Sequence, residues 1–161
     1  MNVPLWAHYL YIKVSFWEKA MMKYNINMNT RKDAAYRALV SPKLIGALKG
    51  KIVTILVKKK KYKDKDYSAK RLAEDLDTNT RYISAAVSVC FGMNYTSLVN
   101  KYRIDNAKVL LRDKRYKYLK IEEVSDMVGF SNRQSFYAAF YKYTGVTPRQ
   151  YKIDGYDVSG E

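Results

Sequence analysis

The 161-residue sequence predicts an all-α protein: two short helical units joined by a long linker helix and preceded by a short helical N-terminal extension. Three observations predict it. Only three prolines and seven glycines interrupt a chain that is 48% hydrophobic, which is ample for a packed core. Apolar residues recur at intervals of three and four, the period of one face of a helix. A pattern of short helix, tight turn, capping residue and longer helix occurs twice, about fifty residues apart, and each copy closes on a glycine.

Taken in order, the first element is a helix over 5–24, where Trp6, Tyr9, Leu10, Ile12, Phe16, Trp17, Ala20 and Met21 fall at helical spacing. The apolar start lacks a basic leader, and His8, Lys13, Glu18 and Lys19 interrupt it. It falls short of the roughly 18 apolar residues a spanning helix needs, so it reads as amphipathic rather than membrane-embedded. Asn25 to Asn29 is a turn, and a short helix follows over 32–40. Ser41 and Pro42 then supply an N-cap and a first helical residue. Behind them Ile45, Leu48, Ile52 and Ile55 form one apolar stripe. An isolated amphipathic helix is marginal in water. The stripe is therefore expected to pack on the Trp6, Phe16, Trp17 helix or on the same stripe of a second molecule. Lys58 to Lys61 close this helix against the negative end of its dipole. The run reads as a solvated helix end, with a nucleic-acid patch or a nuclear address as the alternatives. Residues 62–67 read as a linker.

The repeated unit runs from Tyr67 to Gly92 and again from Lys120 to Gly145. Superposed, Ala73 falls on Ser125, Asp77 on Gly129, Asn79 on Ser131, Ile83 on Ser135 or Phe136, and Gly92 on Gly145. The physics is that of a helix-turn-helix. Two steeply crossing helices need a small residue at closest approach, here Ala73 and Ser125. A reversal within three or four residues usually demands a positive φ, which Gly129 adopts freely and Asp77 tolerates. Asn79 and Ser131 are placed to cap the second helices. The stripes Ile83, Val87 and Phe136, Phe140 pin them to the core, and Gly92 and Gly145 stop them. Between the copies, 95–113 has neither proline nor glycine, and Leu98, Tyr102, Ala107, Leu110 and Leu111 line one face. A helix of that length spans roughly 28 Å.

Charge and chemistry narrow the function. The formal net charge is +15: the balance is +11 over 1–61, +7 over 62–152 and −3 over the last nine residues. Such a surplus selects an anionic partner, nucleic acid first and an anionic membrane surface second. Cys90 is the only cysteine, so no internal disulfide forms and a buried thiol in a reducing compartment is expected. His8 is the only histidine, no Cys or His cluster has zinc spacing, and no phosphate-cradling glycine loop exists. No enzyme, cofactor or metal site is expected.

The segments Leu72 to Ser84, Asn100 to Leu111 and above all Glu122 to Tyr151 carry a resemblance. The last contains a Gly-Phe-Ser turn, the pair Phe136 and Phe140, and the closing Gly145, Pro148 and Tyr151. Residues 62–152 resemble the DNA-binding domain of the AraC/XylS family of bacterial transcription regulators; 1–61 lie outside the resemblance, and 153–161 read as an acidic, flexible tail. The resemblance implies a seven-helix, two-unit domain that lies along one face of double-stranded DNA, with each recognition helix in the major groove. By position it nominates Arg81 and Ser84 in the first unit and Arg133, Gln134 and Ser135 in the second. Arg can bond guanine O6 and N7 together, Gln can do so with adenine, and Ser can donate or accept. Arg103 and Lys142 are nominated as phosphate or scaffold residues, and Lys101 more weakly.

Two departures matter. The first recognition helix carries Ala85, Ser88 and Val89 where members of the family usually have basic residues, and Ala138 stands where the second helix often has Arg. Upstream, about sixty residues that read as helical precede this part, where many relatives have a larger effector-binding β-domain, so no small-molecule site is expected within them. Three functions are weighed on these grounds. The first is a cytoplasmic, sequence-specific regulator that binds promoter DNA, recruits or blocks RNA polymerase, and pairs into a homodimer through its N-terminal helices. The second is a degenerate module acting mainly through protein contacts with another regulator or polymerase. The third, least favoured, is membrane association through the basic amphipathic N-terminus.

Overall fold

A computed structural model describes residues 41–157. The expected helices over 5–24 and 32–40, with His8, lie outside the described residues. Seven α-helices follow: α1 (Pro42–Val53), α2 (Ala69–Asp75), α3 (Thr80–Phe91), α4 (Tyr95–Arg112), α5 (Ile121–Val128), α6 (Arg133–Thr144) and α7 (Pro148–Asp157). No strand occurs among the described residues.

The ends of the helices are set by side chains that satisfy otherwise unpaired backbone donors. Ser41 Oγ accepts from the Leu44 N–H at 3.2 Å, and Ser68 Oγ from that of Arg71 at 3.3 Å. Asn79, Asn94 and Asn132 do the same for Tyr82, Ser97 and Ser135 at 2.8–2.9 Å. The expected cap at Ser131 is thus displaced by one residue to Asn132. Gly92 and Gly145 end α3 and α6 in the left-handed conformation, at φ 66° and 77°. α1 runs into a single π turn (Thr54–Lys58) and stops where Lys60 turns left-handed at φ 54°.

The molecule has two apolar cores threaded by one helix. The N-terminal half of α4 gives Leu98 and Val99 to the first core, beside Leu72, Ile83 and Val87. Its C-terminal half gives Ile104, Ala107, Leu110 and Leu111 to the second, beside Val124, Phe136 and Phe140. The α1 stripe is buried in the first unit, a partner not anticipated, while the Trp6, Phe16, Trp17 helix expected to cover it lies outside the described residues. Leu48, Ile52 and Ile55 complete the first core, and Ile45 packs beside Ala85 of α3. Periodicity shows that a face must be covered; it does not say by what. The C-terminal helix also runs further than expected, through Asp157. It is held by the Arg112 guanidinium, 4.2 Å from the Tyr151 ring centre.

Residues 62–67, expected to be a linker, form a brace between the cores. The Arg103 guanidinium on α4 donates to the Tyr62 carbonyl at 2.6 Å and to the Asp64 carbonyl at 3.0 Å. Its plane sits 5.5 Å from the Phe130 ring centre. Lys65 reaches Asp126 on α5 at 2.9 Å, and Tyr62 packs on Tyr102. Tyr67 is buried in the first core, its hydroxyl donating to Asp75 at 2.6 Å, while the Tyr95 hydroxyl donates to the Tyr67 carbonyl at 3.0 Å. The backbone of Lys63 lies against Gly129 so closely that a Cβ there would collide with its carbonyl. Gly129, at φ 98°, therefore serves both the turn and this approach.

Candidate nucleic-acid interface

Each unit holds its second helix by the same backbone device. The Thr78 N–H donates to the Ala73 carbonyl at 2.9 Å, and the Phe130 N–H to the Ser125 carbonyl at 3.1 Å. Ala73 and Ser125 are both buried at the crossing, and Asp77 and Gly129 both take positive φ, at 49° and 98°. After this point the second turn carries one extra residue. From the caps onward the units therefore align Asn79 with Asn132, Ile83 with Phe136, Val87 with Phe140, and Gly92 with Gly145. This resolves the choice between Ser135 and Phe136 as the partner of Ile83. Both Ile83 and Phe136 are fully buried.

At about 100° per residue, the alignment defines one outward stripe on each helix. On α3 it runs through Arg81, Ser84, Ser88 and Val89; Arg81, Ser84 and Val89 are exposed and Ser88 is half-buried. Ala85, on the same side, is shut off by Ile45 of α1. On α6 the matching positions are Gln134, Tyr137, Ala138, Tyr141 and Lys142, all exposed except the half-buried Tyr137. Arg133 flanks this stripe and Ser135 lies on its other side, both exposed, while the Ser135 N–H is taken by the Asn132 cap. Lys142 sits in the last turn, its ammonium 5.9 Å from the Tyr143 ring centre.

Arg133 is held by two residues. One nitrogen pairs with Glu122 of α5 at 3.1 Å, another donates a long bond to the Tyr137 hydroxyl at 3.5 Å, and the guanidinium lies 5.0 Å from the Tyr137 ring centre. Glu122, Tyr137 and Tyr141 were missed from sequence alone. The signal available was the helical spacing that puts Tyr137 and Tyr141 on the stripe with Gln134.

Arg103 lies away from both stripes, on the brace. It is only 9% exposed, and two of its nitrogens donate to the brace carbonyls. Burial pulls its guanidinium below the ordinary value, opposed by Tyr95 and Asp64 nearby. Of the two roles considered, this placement favours the scaffold one. Lys101, the weaker candidate, pairs with Asp105 at 3.3 Å along the same helix. Cys90 is half-buried rather than fully enclosed, with burial raising its thiol above the usual range.

The sequence profile described as "Helix-turn-helix domain" matches residues 72–153, slightly more than half of the chain. The chain belongs to the AraC-type helix-turn-helix family. Solved structures of similar fold agree. The C-terminal domain of the two-component response regulator yesN from Fusobacterium nucleatum is 31% identical, with a TM-score of 0.53 over 58% of this chain and 88% of that one. The C-terminal domain of AraT, a response regulator from Geobacillus stearothermophilus, is 27% identical, with a TM-score of 0.56 over 71% and 86%. A DNA-binding transcriptional dual regulator from Escherichia coli K-12, at 17% identity and a TM-score of 0.58 over 68% and 93%, shares the fold. No curated protein sequence matches. Among the described residues, no single helix is long and apolar enough to cross a membrane.

Proposed function

We propose that this AraC-type regulator binds double-stranded DNA by seating α3 and α6 in two successive major-groove segments, with RNA polymerase as its protein partner at promoters. The observation that carries the reading is the pair of aligned, outward stripes held on the two halves of one unbroken helix, α4. On α6 the proposed reading groups are Arg133, Gln134 and Ser135, with Lys142 placed to meet phosphate. On α3 they are Arg81 and Ser84. Base edges in the major groove offer the donors and acceptors that Arg and Gln match in pairs. Backbone contacts by lysine add affinity without sequence preference.

A second reading has a specific observation in its favour. The α3 stripe offers one cation and an exposed Val89, 51% accessible, so this face suits a protein surface better than a phosphate-lined groove. In that case α6 reads the DNA and α3 meets another regulator or the polymerase.

One experiment tests both. Duplexes enriched by the whole chain from a random library are rebound in competition with unselected DNA. Arg133→Ala should cost about 1–3 kcal/mol on the enriched duplex and relax preference at one base pair. Lys142→Ala should weaken enriched and unselected DNA alike. An Arg133 variant with an unchanged ratio would refute the assignment of α6 as the reading helix. Arg81→Ala without effect on either DNA would favour the second reading for α3.

A further inference from the structure

The segment between α4 and α5 is not used by either helix-turn-helix, and its chemistry is distinct. Between Asp113 and Lys120 it carries Lys114, Arg115, Lys117 and Lys120 against a single acid. Asp113 is spent internally: its carboxylate accepts from the Arg115 guanidinium at 2.6–3.1 Å and caps the 3₁₀ turn Lys114–Tyr116. The three lysines therefore keep their charge unopposed within the loop. At the tip, Tyr118 is 84% exposed, the most exposed large apolar or aromatic side chain among the described residues. The Lys117 ammonium lies 4.8 Å from its ring centre.

The loop is also held in shape. Tyr116, Leu119 and Ile121 pack against the second core. The Leu119 N–H donates to the Tyr116 carbonyl at 3.1 Å, and the Leu119 carbonyl accepts from the Lys152 ammonium of α7 at 2.6 Å. These contacts anchor the turn on both sides of the tip and leave Lys117 and Tyr118 projecting. Little ordering entropy remains to be lost when a ligand meets it.

Its position follows from two further contacts. Lys120 is the residue before α5, its N–H bonded to Glu123 at 2.6 Å. Two residues on, and so at most about 7 Å along the backbone, Glu122 grips Arg133 at the start of α6 at 3.1 Å. The loop thus opens beside the N-terminus of the proposed reading helix. It also lies at the end of α4 remote from the first unit, roughly 27 Å along that helix.

We infer that the Lys114–Lys120 loop is a third DNA contact, a basic and aromatic finger that grips phosphates just outside the groove segment read by α6, on the side away from α3. Lys114, Lys117 and Lys120 neutralise phosphates. Tyr118 lays its ring on the sugar-phosphate edge and offers its hydroxyl to a phosphate oxygen. The inference rests on the DNA-binding reading above and extends the footprint by one outer segment.

The test uses the whole chain, a duplex it has enriched from a random library, and the same duplex cut at the outer edge of the α6 segment. The triple variant Lys114→Ala, Lys117→Ala, Lys120→Ala should reduce the slope of log affinity against log salt by about two to three, near 0.9 for each phosphate released. Tyr118→Ala should weaken binding several-fold, and Tyr118→Phe less. Each loss should vanish on the cut duplex, and hydroxyl-radical protection beyond the α6 segment should disappear with the triple variant. Unchanged melting confirms that these exposed substitutions leave the fold intact. Variants that match the parent in slope and footprint on the long duplex would overturn the finger alone. Failure of the parent chain to enrich any duplex would overturn the DNA-binding reading and the finger with it.

Discussion

The two units share a frame and differ in what fills and faces it. Both cross at a small buried residue, both turn through a positive φ, and both cap with asparagine and stop at glycine. The first is built around aliphatic residues, with Ile83 and Val87 on α3, and borrows α1 to complete its core. The second is built around aromatics packed edge-on or tilted against one another. Phe130 and Phe136 lie 5.3 Å apart, Phe136 and Phe140 5.6 Å, and Phe140 and Tyr151 5.4 Å. Outside, α3 offers serines and one arginine, whereas α6 offers two tyrosines, glutamine and two cations. The backbone device tolerates all of these changes because it depends on only four positions per unit. One repeated frame thus carries two different cores and two different outward surfaces.

The comparison can be broken most easily at the cores. Phe136→Ala should destabilise the domain by about 3–5 kcal/mol, while Ile83→Val, at the aligned position, should cost about 0.5–1.5 kcal/mol. Urea unfolding followed by far-ultraviolet circular dichroism measures both, and a Phe136→Ala loss below about 1 kcal/mol would mean that the aromatic core can close around the missing ring. Next comes the brace. Arg103→Ala strips two carbonyls of a charged donor and should cost roughly 2–3 kcal/mol. Arg103→Lys should recover little of this, because a single ammonium cannot reproduce a planar fork that meets two acceptors. Full recovery by lysine would show that charge alone matters there. Smaller still is the turn. Gly129→Ala should cost at least about 1–2 kcal/mol, since it adds left-handed strain to a collision with the Lys63 backbone. Asp77→Gly should stay within about 0.5 kcal/mol of the parent, because relief of strain and added unfolded-state freedom oppose each other. A large gain for Asp77→Gly would indicate that the first turn is strained far more than its φ of 49° suggests.

Much of this was legible in the sequence alone. Asn79, Gly92 and Gly145 bounded α3 and α6 because caps and stops act locally, through one or two hydrogen bonds. The long α4 was legible because nothing in 95–112 breaks a helix. Its start is set by Asn94, which accepts from the Ser97 N–H. The longer second turn was blurred, since Ser131 and Asn132 are both competent caps and only packing of Phe136 selects the register. Least legible were the contacts that cross between elements. A charged Arg103 reads as surface because lone charges seldom bury, and the carbonyls that make its burial affordable lie about forty residues earlier. The α1 stripe announced a buried face, but the identity of its cover emerged only from tertiary packing. The candidate site divides in the same way: Arg133 and Gln134 followed from position, whereas the Glu122 grip on Arg133 required the crossing of α5 and α6.

The brace has a mechanical consequence. α4 is one unbroken rod of 18 residues, about 27 Å long, and the Tyr62–Asp66 backbone is pinned to it and to α5, so the two units are cross-braced. Successive major-groove segments on one face of B-form DNA recur about every 34 Å. On the seating of α3 and α6 proposed above, a spacing set by the rod makes the duplex the partner that curves to meet both. Such curvature costs of order 1–6 kcal/mol and depends on how easily the intervening base steps deform. Base pairs between the two grooves, touched by no side chain, would then influence affinity through their stiffness, with TA and CA/TG steps favoured.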